Sequence, residues 1–498
     1  MKLKEVLKGT ELSFEYDIEI EGIAVDSREV KKNFIFFAFK GEKDDGKKYI
    51  EQAIEKGASF IIADEKIDYE SPIISVSKDI MKTLSVVSKN FYKNPSSRLY
   101  TIGITGTKGK TTTTFLIEKI LNELGRKTGV IGTINYRTHK RIISEAKNTT
   151  PFAHHLNYIL NEILSDGGDS VVMEVSSHSL VLKKVDDIEF DMAIFTNLQS
   201  DHLDFHKTLK EYSNAKLKLF EILNLSPKKD KVAILNLDDP FSQKIIPFLN
   251  KDINVITYSI KNNSQIIAKD IELKPDKTIF TVIEQGKRYN FETKLIGLHN
   301  VYNFLAAIAS AKSIGFDISE IAKVVKKVDN ISGRLEKIVS KKGFYIYIDY
   351  AHTEESLRQV LETLNLLPHR KILTVFGCGG DRDPTKRAPM GKVACQLSDM
   401  VYITSDNPRT EDPLKIINEI EKGAIEAGKN NYVKIVDRKQ AIESAIRQAK
   451  EGDIILIAGK GHENYQIIGN ERKYFSDRET TIEILKKENA YEPSNESI

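Results

Sequence analysis

The chain reads as an α/β protein built from three domains with mostly parallel sheets. Three observations predict this. Short apolar β-type runs alternate with helix-type segments along the 498 residues. One run, at 99–104, opens directly onto a glycine- and threonine-rich loop that leads into a helix-type stretch. The length, finally, suits about three domains of ordinary size.

Taken in order, residues 1–98 hold β-type runs at 33–39, 58–63 and 73–76 and close at Asn94-Pro95-Ser96-Ser97, which reads as a small α/β domain followed by a linker. Residues 99–330 form the central domain: the run 99–104, the helix-type stretch 112–124, then runs at 170–175, 192–197 and 231–236. Residues 331–498 repeat the pattern at 344–350, 372–377, 400–405, 432–436 and 454–458, as expected of a Rossmann-like, doubly wound sheet. Glu174, Asn197, Asn236, Asp349, Asp406 and Gly459 all fall at or just beyond the ends of these runs. Open parallel sheets bind ligands at those carboxyl ends.

Composition narrows the function. The 74 basic and 71 acidic residues leave a net charge of +3, and lysine pairs at 183–184, 228–229 and 341–342 are scattered rather than gathered with aromatics. A nucleic-acid footprint is therefore not expected. The two cysteines, Cys378 and Cys395, fit neither a disulfide framework nor a metal pattern, which suits a reducing cytoplasm. No run approaches the roughly 18 apolar residues of a membrane span, so a soluble, cytoplasmic chain is expected.

The loop itself reads Gly106-Thr107-Lys108-Gly109-Lys110-Thr111-Thr112. It departs from the usual P-loop spacing, because Ile104 stands where the glycine five residues before Gly109 would be. The physical reading survives the departure. Glycines let backbone N–H groups close on phosphate oxygens, the helix N-terminus adds partial positive charge, and Lys110 and Thr111 can reach a terminal phosphate and its Mg²⁺. ATP or a similar nucleotide is expected, with Mg²⁺.

Four further constellations carry chemistry. Glu174 and the Asp201-His202 pair follow successive β-type runs and together could hold Mg²⁺. Lys216 lies in a stretch of helical periodicity and on pattern alone is a solvated helix lysine. Arg334, Asp349 and His352 frame the entry to the third domain, suited to a phosphate and a ribose hydroxyl or else to an interdomain salt bridge. Arg382, the run Asp406-Asn407-Pro408-Arg409, Gly459 and Glu463 bring both charge signs to three strand ends. Guanidiniums there suit carboxylates and Asp406 and Glu463 suit an ammonium, so the implied ligand is a zwitterion with more than one carboxylate; a structural ion-pair network is the other reading.

In these residues the chain resembles the ATP-dependent Mur ligases over essentially its whole length. Asp26-Ser27-Arg28, the loop 106–112, Asn148-Thr149-Thr150-Pro151, 174–178, Asp201-His202-Leu203-Asp204, Asn300-Val301-Tyr302-Asn303, Gly333-Arg334, Asp349-Tyr350-Ala351-His352, Asp406-Asn407-Pro408-Arg409 and 459–463 carry the resemblance. It implies a UDP-sugar-binding domain (1–98), a central ATP-binding domain (99–330) and an amino-acid-binding domain (331–498). It implies that Val25 and Ser27 meet the UDP end, and Asn148, Thr149, Thr150, Ser176 and Lys184 the muramoyl-peptide. Lys216 is implied to be N6-carboxylated and, with Thr111, Glu174 and His202, to lie at Mg²⁺. Asn300 and Asn303 are implied to border the adenine, Arg334, Asp349 and His352 to complete the ATP site, and Arg382, Asp406, Asn407, Pro408, Arg409, Gly459 and Glu463 to take a diamino diacid. Where the family carries Gln and Arg after the Ser-Ser-His element, this chain has Leu182 and Lys184, which keeps a charge without the fork. The implied activity is ligation of a diamino diacid to UDP-MurNAc-L-Ala-D-Glu by a monomer. The rivals are a related Mur or folylpolyglutamate-type ligase with another acceptor, and an ATP-dependent binding protein without ligase activity.

Overall fold

The computed structural model describes residues 1–13, 18–41, 44–66, 73–199 and 203–493. The chain gathers into two compact units: Met1–Ala268 with Ile283–Arg288 and Tyr302–Ile321, and Lys269–Val282 with Tyr289–Val301 and Ala322–Ile498.

In the first unit, an N-terminal sheet runs Gly22–Ala24, Phe34–Ala38, Ala58–Ala63, Ile74–Val76, all parallel. Its inner faces bury Ile35, Phe37, Phe60 and Ile62 against Leu84 and Val87 of the helix Ile80–Phe91. The larger sheet orders its parallel strands Asn254–Ser259, Val232–Asn236, Met192–Phe195, Tyr100–Thr105, Ser170–Glu174, Thr128–Ile131. Antiparallel Asn135–Arg137 and Ile142–Glu145 extend it. Strands such as Val232–Asn236 and Ser170–Glu174 are buried throughout, as the strands of a parallel sheet covered on both faces are. Helices Ala153–Ser165 and Leu209–Leu225 supply Ile159, Ile163, Leu219 and Leu223 to that core.

The second unit holds a six-stranded sheet in the order Glu336–Val339, Tyr345–Asp349, Ile454–Ala458, Ile372–Phe376, Met400–Ile403, Tyr432–Lys434. Only the first pairing is antiparallel. One face buries Leu361 and Leu364 of Glu354–Asn365 and Ile417 and Ile420 of Pro413–Glu426, and the other Ile442 and Ala445 of Arg438–Gln448. The doubly wound arrangement expected of residues 331–498 is thus what forms. Among the described residues, no helix is long and apolar enough to cross a membrane.

Candidate active site

The strand Tyr100–Thr105 lies between Met192–Phe195 and Ser170–Glu174, with Thr105 opposite Phe195 and Ile104 opposite Glu174. The phosphate-type loop therefore leaves the sheet between Asn197 and Glu174. Asn197 clamps it from one side: its Oδ1 accepts from Lys108 N (3.0 Å), its Nδ2 donates to Lys108 O (3.1 Å), and its carbonyl accepts from Thr107 N (2.8 Å). Thr196 Oγ1 donates to the same Lys108 carbonyl at 2.7 Å. A Cβ on Gly106 would stand 1.9 Å from Thr196 Oγ1, so only glycine admits this approach.

Gly109, at φ 86°, turns the loop into the helix Lys110–Glu123, whose first turn no side chain caps. The helix end offers its amides to an anion instead. Asn303, on Leu298–Ser313, closes on the loop: its Oδ1 accepts from Thr113 Oγ1 at 3.3 Å and would lie 2.5 Å from a Cβ on Gly109. Asn300 is placed differently, its Nδ2 donating to Ile296 O at 2.8 Å. Lys110 Nζ donates to the carbonyls of Gly106 (2.9 Å) and Thr107 (3.1 Å), which sets its charge in the bowl of the loop.

Glu174, 1% exposed, faces the loop from the other side. Its carboxylate accepts from Thr111 Oγ1 (2.9 Å), Thr133 N (2.8 Å) and Thr133 Oγ1 (3.1 Å). A Cβ on Gly132 would sit 2.5 Å from Glu174 Oε1, so the Gly132-Thr133 turn fits around the carboxylate. A carboxylate beside a hydroxyl at the phosphate loop is a hard oxygen donor set of the kind Mg²⁺ takes. His202 lies outside the described residues. Among those described, no group of three or more His, Cys, Asp or Glu is placed to hold a metal ion.

The Asn148–Ser176 group assembles around the same strand end. Thr150 Oγ1 donates to Glu174 O (2.8 Å) and accepts from Ser176 N (3.2 Å), and Thr149 Oγ1 lies 3.1 Å from Thr133 Oγ1. Asn148 is tied to Tyr136 through its carbonyl and amide. Ser176 caps the helix Ser177–Val181, accepting from Ser179 N. Lys184 is buried, with Nζ 4.1 Å from the Phe152 ring centroid and 3.5 Å from Thr150 O, so the surviving charge stays within this group. In the N-terminal sheet region, Val25 packs on the core and Ser27 Oγ donates to Gln52 Oε1 at 2.6 Å.

Lys216 corrects the pattern reading. It is 1% exposed, not solvated, and its Nζ lies 4.1 Å from the centroid of the Tyr212 ring. Tyr212 OH in turn donates to Thr107 Oγ1 of the loop at 3.2 Å. Packing of the helix Leu209–Leu225 onto the sheet, rather than its polar composition, decides which lysine goes inside.

In the second unit, Asp349 ends its strand and accepts from Leu335 N (2.8 Å) and Ala351 N (2.9 Å). It thereby shapes the turns that carry Arg334 and His352. Arg334 lies 5.4 Å over the Tyr350 ring, and His352 Nδ1 meets Tyr350 O at 2.8 Å. Gly333 is obligatory, since a Cβ there would reach His462 N at 2.3 Å.

The acid-and-base pocket forms where the strand ends meet. Asn407 Nδ2 donates to Glu463 Oε2 (3.0 Å), and the fully buried Lys460 donates to Asn407 Oδ1 and Glu463 Oε2, both at 3.2 Å. Gly459, at φ 114°, passes so close to Asp406 that a Cβ would meet Oδ2 at 2.6 Å. Arg409 Nη1 donates to Gly380 O at 2.7 Å and flanks Gly379, as does Arg382 from an exposed position. The Pro408 carbonyl lies where a Cβ on Gly380 would fall, 1.9 Å away. Beneath them Arg438, 1% exposed, pairs with Asp477 through two 2.8 Å bonds and donates to Ala458 O at 2.9 Å. Burial raises the Asp406 carboxyl above its ordinary value; Arg438 and Lys460 oppose the shift, and Glu463 and Asp477 add to it.

Sequence reasoning did not single out Lys460, Thr133, Tyr212 or Arg438. Lys460 lies between Gly459 and Gly461 at a strand end, which is a usable signal; the others have none without the fold.

Three family models match in order: "Mur ligase family, catalytic domain" over residues 19–96, "Mur ligase middle domain" over 104–311, and "Mur ligase, glutamate ligase domain" over 333–461. A relative from Clostridium tetani is 41% identical, covering 98% of this chain and 100% of its own length. One from Bacillus cereus is 43% identical, with 94% of each chain covered. Both are named UDP-N-acetylmuramoyl-L-alanyl-D-glutamate--2,6-diaminopimelate ligase. A solved structure of a ligase of that name aligns with a TM-score of 0.72 at 30% identity, covering 98% of this chain and 99% of the other. The chain belongs to the Mur ligase family.

Proposed function

We propose that the protein is an ATP-dependent, amide-forming ligase of peptidoglycan precursor synthesis. It joins meso-2,6-diaminopimelate, or an isostere such as lanthionine, to the D-Glu γ-carboxylate of UDP-MurNAc-L-Ala-D-Glu in the cytoplasm. The observation that carries the chemistry is the phosphate loop held between Asn197 and the buried Glu174, with Thr111 bonded to that carboxylate. Full-length relatives bearing the ligase name support the substrate pair. We assign the UDP end to residues 1–98, with Val25 and Ser27 at it, ATP to 99–330 and the amino acid to 331–498. Asn148, Thr149, Thr150, Ser176 and Lys184 would take the muramoyl-peptide, since they gather at the same strand end as Glu174.

A carboxylate does not condense with an amine in neutral water until one of its oxygens becomes a leaving group. The γ-carboxylate oxygen attacks the γ-phosphorus of ATP, the bond to the ADP oxygen breaks, and an acyl phosphate forms. The loop amides and Lys110 take the charge that develops on the phosphate oxygens. Thr111 and Glu174 would hold Mg²⁺, which when bound supplies further neutralisation of phosphate charge. Lys216, buried beside Tyr212, would react through its deprotonated amine with CO₂, losing a proton, to give a carbamate. The incoming amine then attacks the acyl carbon, phosphate departs, and the amine loses a proton.

The acceptor follows from the second unit. Asp406, Asn407 and Glu463 suit an ammonium-bearing end, and Arg409, with Arg382, a distal carboxylate. Lysine in the same pocket would leave Arg409, half-buried and bonded to Gly380 O, without the distal carboxylate it would otherwise pair, a penalty of about 1 kcal/mol or more.

The test is phosphate release from ATP with UDP-MurNAc-L-Ala-D-Glu and, in turn, meso-diaminopimelate, lanthionine, L-lysine, L-ornithine or no amino acid, with product mass measured. Release and mass gain confined to diacids is the expected result. Release indifferent to every acceptor would leave an ATPase without ligation, and a mass gain with another amino acid would assign a different acceptor.

A further inference from the structure

A β-hairpin follows the pocket: Tyr465–Ile468 pairs antiparallel with Glu471–Tyr474, Ile467 opposite Arg472, around a turn at Gly469, φ 60°. Its second strand is exposed along its length. Its first strand does something other than fill a core. Gln466 Nε2 donates to Asp406 O (2.6 Å) and Ile467 N to Asn407 Oδ1 (3.0 Å). Arg409 is gripped on both sides of its own backbone, its N–H donating to Ile467 O (3.0 Å) and its carbonyl accepting from Gly469 N (2.7 Å).

That grip explains an unusual backbone. Arg409 has φ 51°, a left-handed conformation that a side chain-bearing residue adopts at a cost and keeps only when its surroundings hold it there. The two hairpin bonds hold it, and in that conformation Nη1 reaches Gly380 O. Arg472 stacks on Tyr465 at 3.8 Å, bracing the two strands against each other.

We infer that the hairpin 465–474 is the specificity clasp of the acceptor pocket, fixing the left-handed Arg409 so that its guanidinium meets the distal carboxylate of a diamino diacid. The inference rests on the acceptor reading above and adds the element that sets its selectivity. The clasp acts by positioning, so it controls which amino acid binds and leaves the phosphate loop's work alone.

Gly469→Val tests it. A Cβ at Gly469 meets no atom within 4 Å, so the substitution strains only the turn and loosens the Gly469 N to Arg409 O bond. Gly428→Val is the matched control: Gly428 is also exposed, has φ 69° and meets nothing within 4 Å. Thermal midpoints are measured for both. In Gly469→Val the KM for the diamino diacid is expected to rise about tenfold and the preference for diacid over lysine to fall by a similar factor. KM for ATP should stay within about twofold of wild type, and Gly428→Val should match wild type in every kinetic constant. Gly469→Val and Gly428→Val behaving alike would overturn the clasp while leaving the ligase intact. Wild type that uses no diamino diacid would overturn the acceptor reading itself, and the clasp with it.

Discussion

Replacing Glu174 by Gln separates the metal-holding role proposed for this carboxylate from its structural one. The carboxylate accepts three hydrogen bonds, from Thr111 Oγ1, Thr133 N and Thr133 Oγ1, at 2.8–3.1 Å. The amide oxygen keeps the Thr133 N–H, and the amide N–H₂ can donate to the hydroxyls once they rotate. Three charge-assisted bonds become neutral, each weaker by about 1 kcal/mol, while the cost of burying a charge is relieved. Net stability should therefore change by no more than about 1–2 kcal/mol. Turnover should fall about hundredfold or more, as for loss of one preorganised electrostatic group, and the Mg²⁺ concentration for half-maximal rate should rise. Phosphate release titrated with Mg²⁺, alongside thermal unfolding, reads both. A variant with wild-type turnover and Mg²⁺ requirement would refute the assignment; one that unfolds would show the carboxylate to be structural first.

Gly106→Ala forces a Cβ to 1.9 Å from Thr196 Oγ1, so the Thr196–Lys108 clamp must move; overpacking of about 1–3 kcal/mol and a weakened ATP affinity are expected, read by nucleotide titration. Asp477→Asn leaves Arg438 buried without its carboxylate and should cost about 3–5 kcal/mol in urea unfolding; a loss below about 1 kcal/mol contradicts the geometry. Arg409→Ala should raise the diamino-acid KM far more than the ATP KM, and equal effects on both would end its assignment to the acceptor. For Asp406 the folded carboxyl is raised by burial, so it takes up its proton, as pH falls, before an ordinary carboxylate does. Because the unfolded carboxyl ionises first, the native state loses stability as pH rises through that range, and ammonium binding is lost as pH falls through it. The acid limb of kcat/KM for the diamino acid should lie above the usual carboxylate range and vanish in Asp406→Asn, which a pH–rate profile decides.

Much of the second unit's parallel sheet was legible because its central strands are wholly buried: Ile372–Phe376, apolar but for Thr374, and Ile454–Ala458, apolar throughout, are each bounded by glycine or charge. Thr128–Ile131, with an internal glycine, and Asn254–Ser259, half polar, gave no such run, and pairing with neighbours rather than propensity makes them strands. The hairpin at 465–474 was also missed, since Tyr-Gln-Ile-Ile opposite Glu-Arg-Lys-Tyr lacks a clean alternation.

By itself the sequence determined whatever is local. The glycine spacing of 106–109, the hydroxyls after Lys110 and the polar residues at strand ends are set by short-range sterics and chain order, so their chemistry could be read directly. The tertiary structure decided what depends on which strands are neighbours. Seating Tyr100–Thr105 between Met192–Phe195 and Ser170–Glu174 brings Asn197 and Glu174 to opposite sides of one loop, though both are distant from it along the chain. It also decided that Lys216 and Lys460 are buried and that Arg409 bends left-handed under a hairpin. Burial and backbone strain are collective quantities, fixed by packing around a residue and not by the residue's own identity.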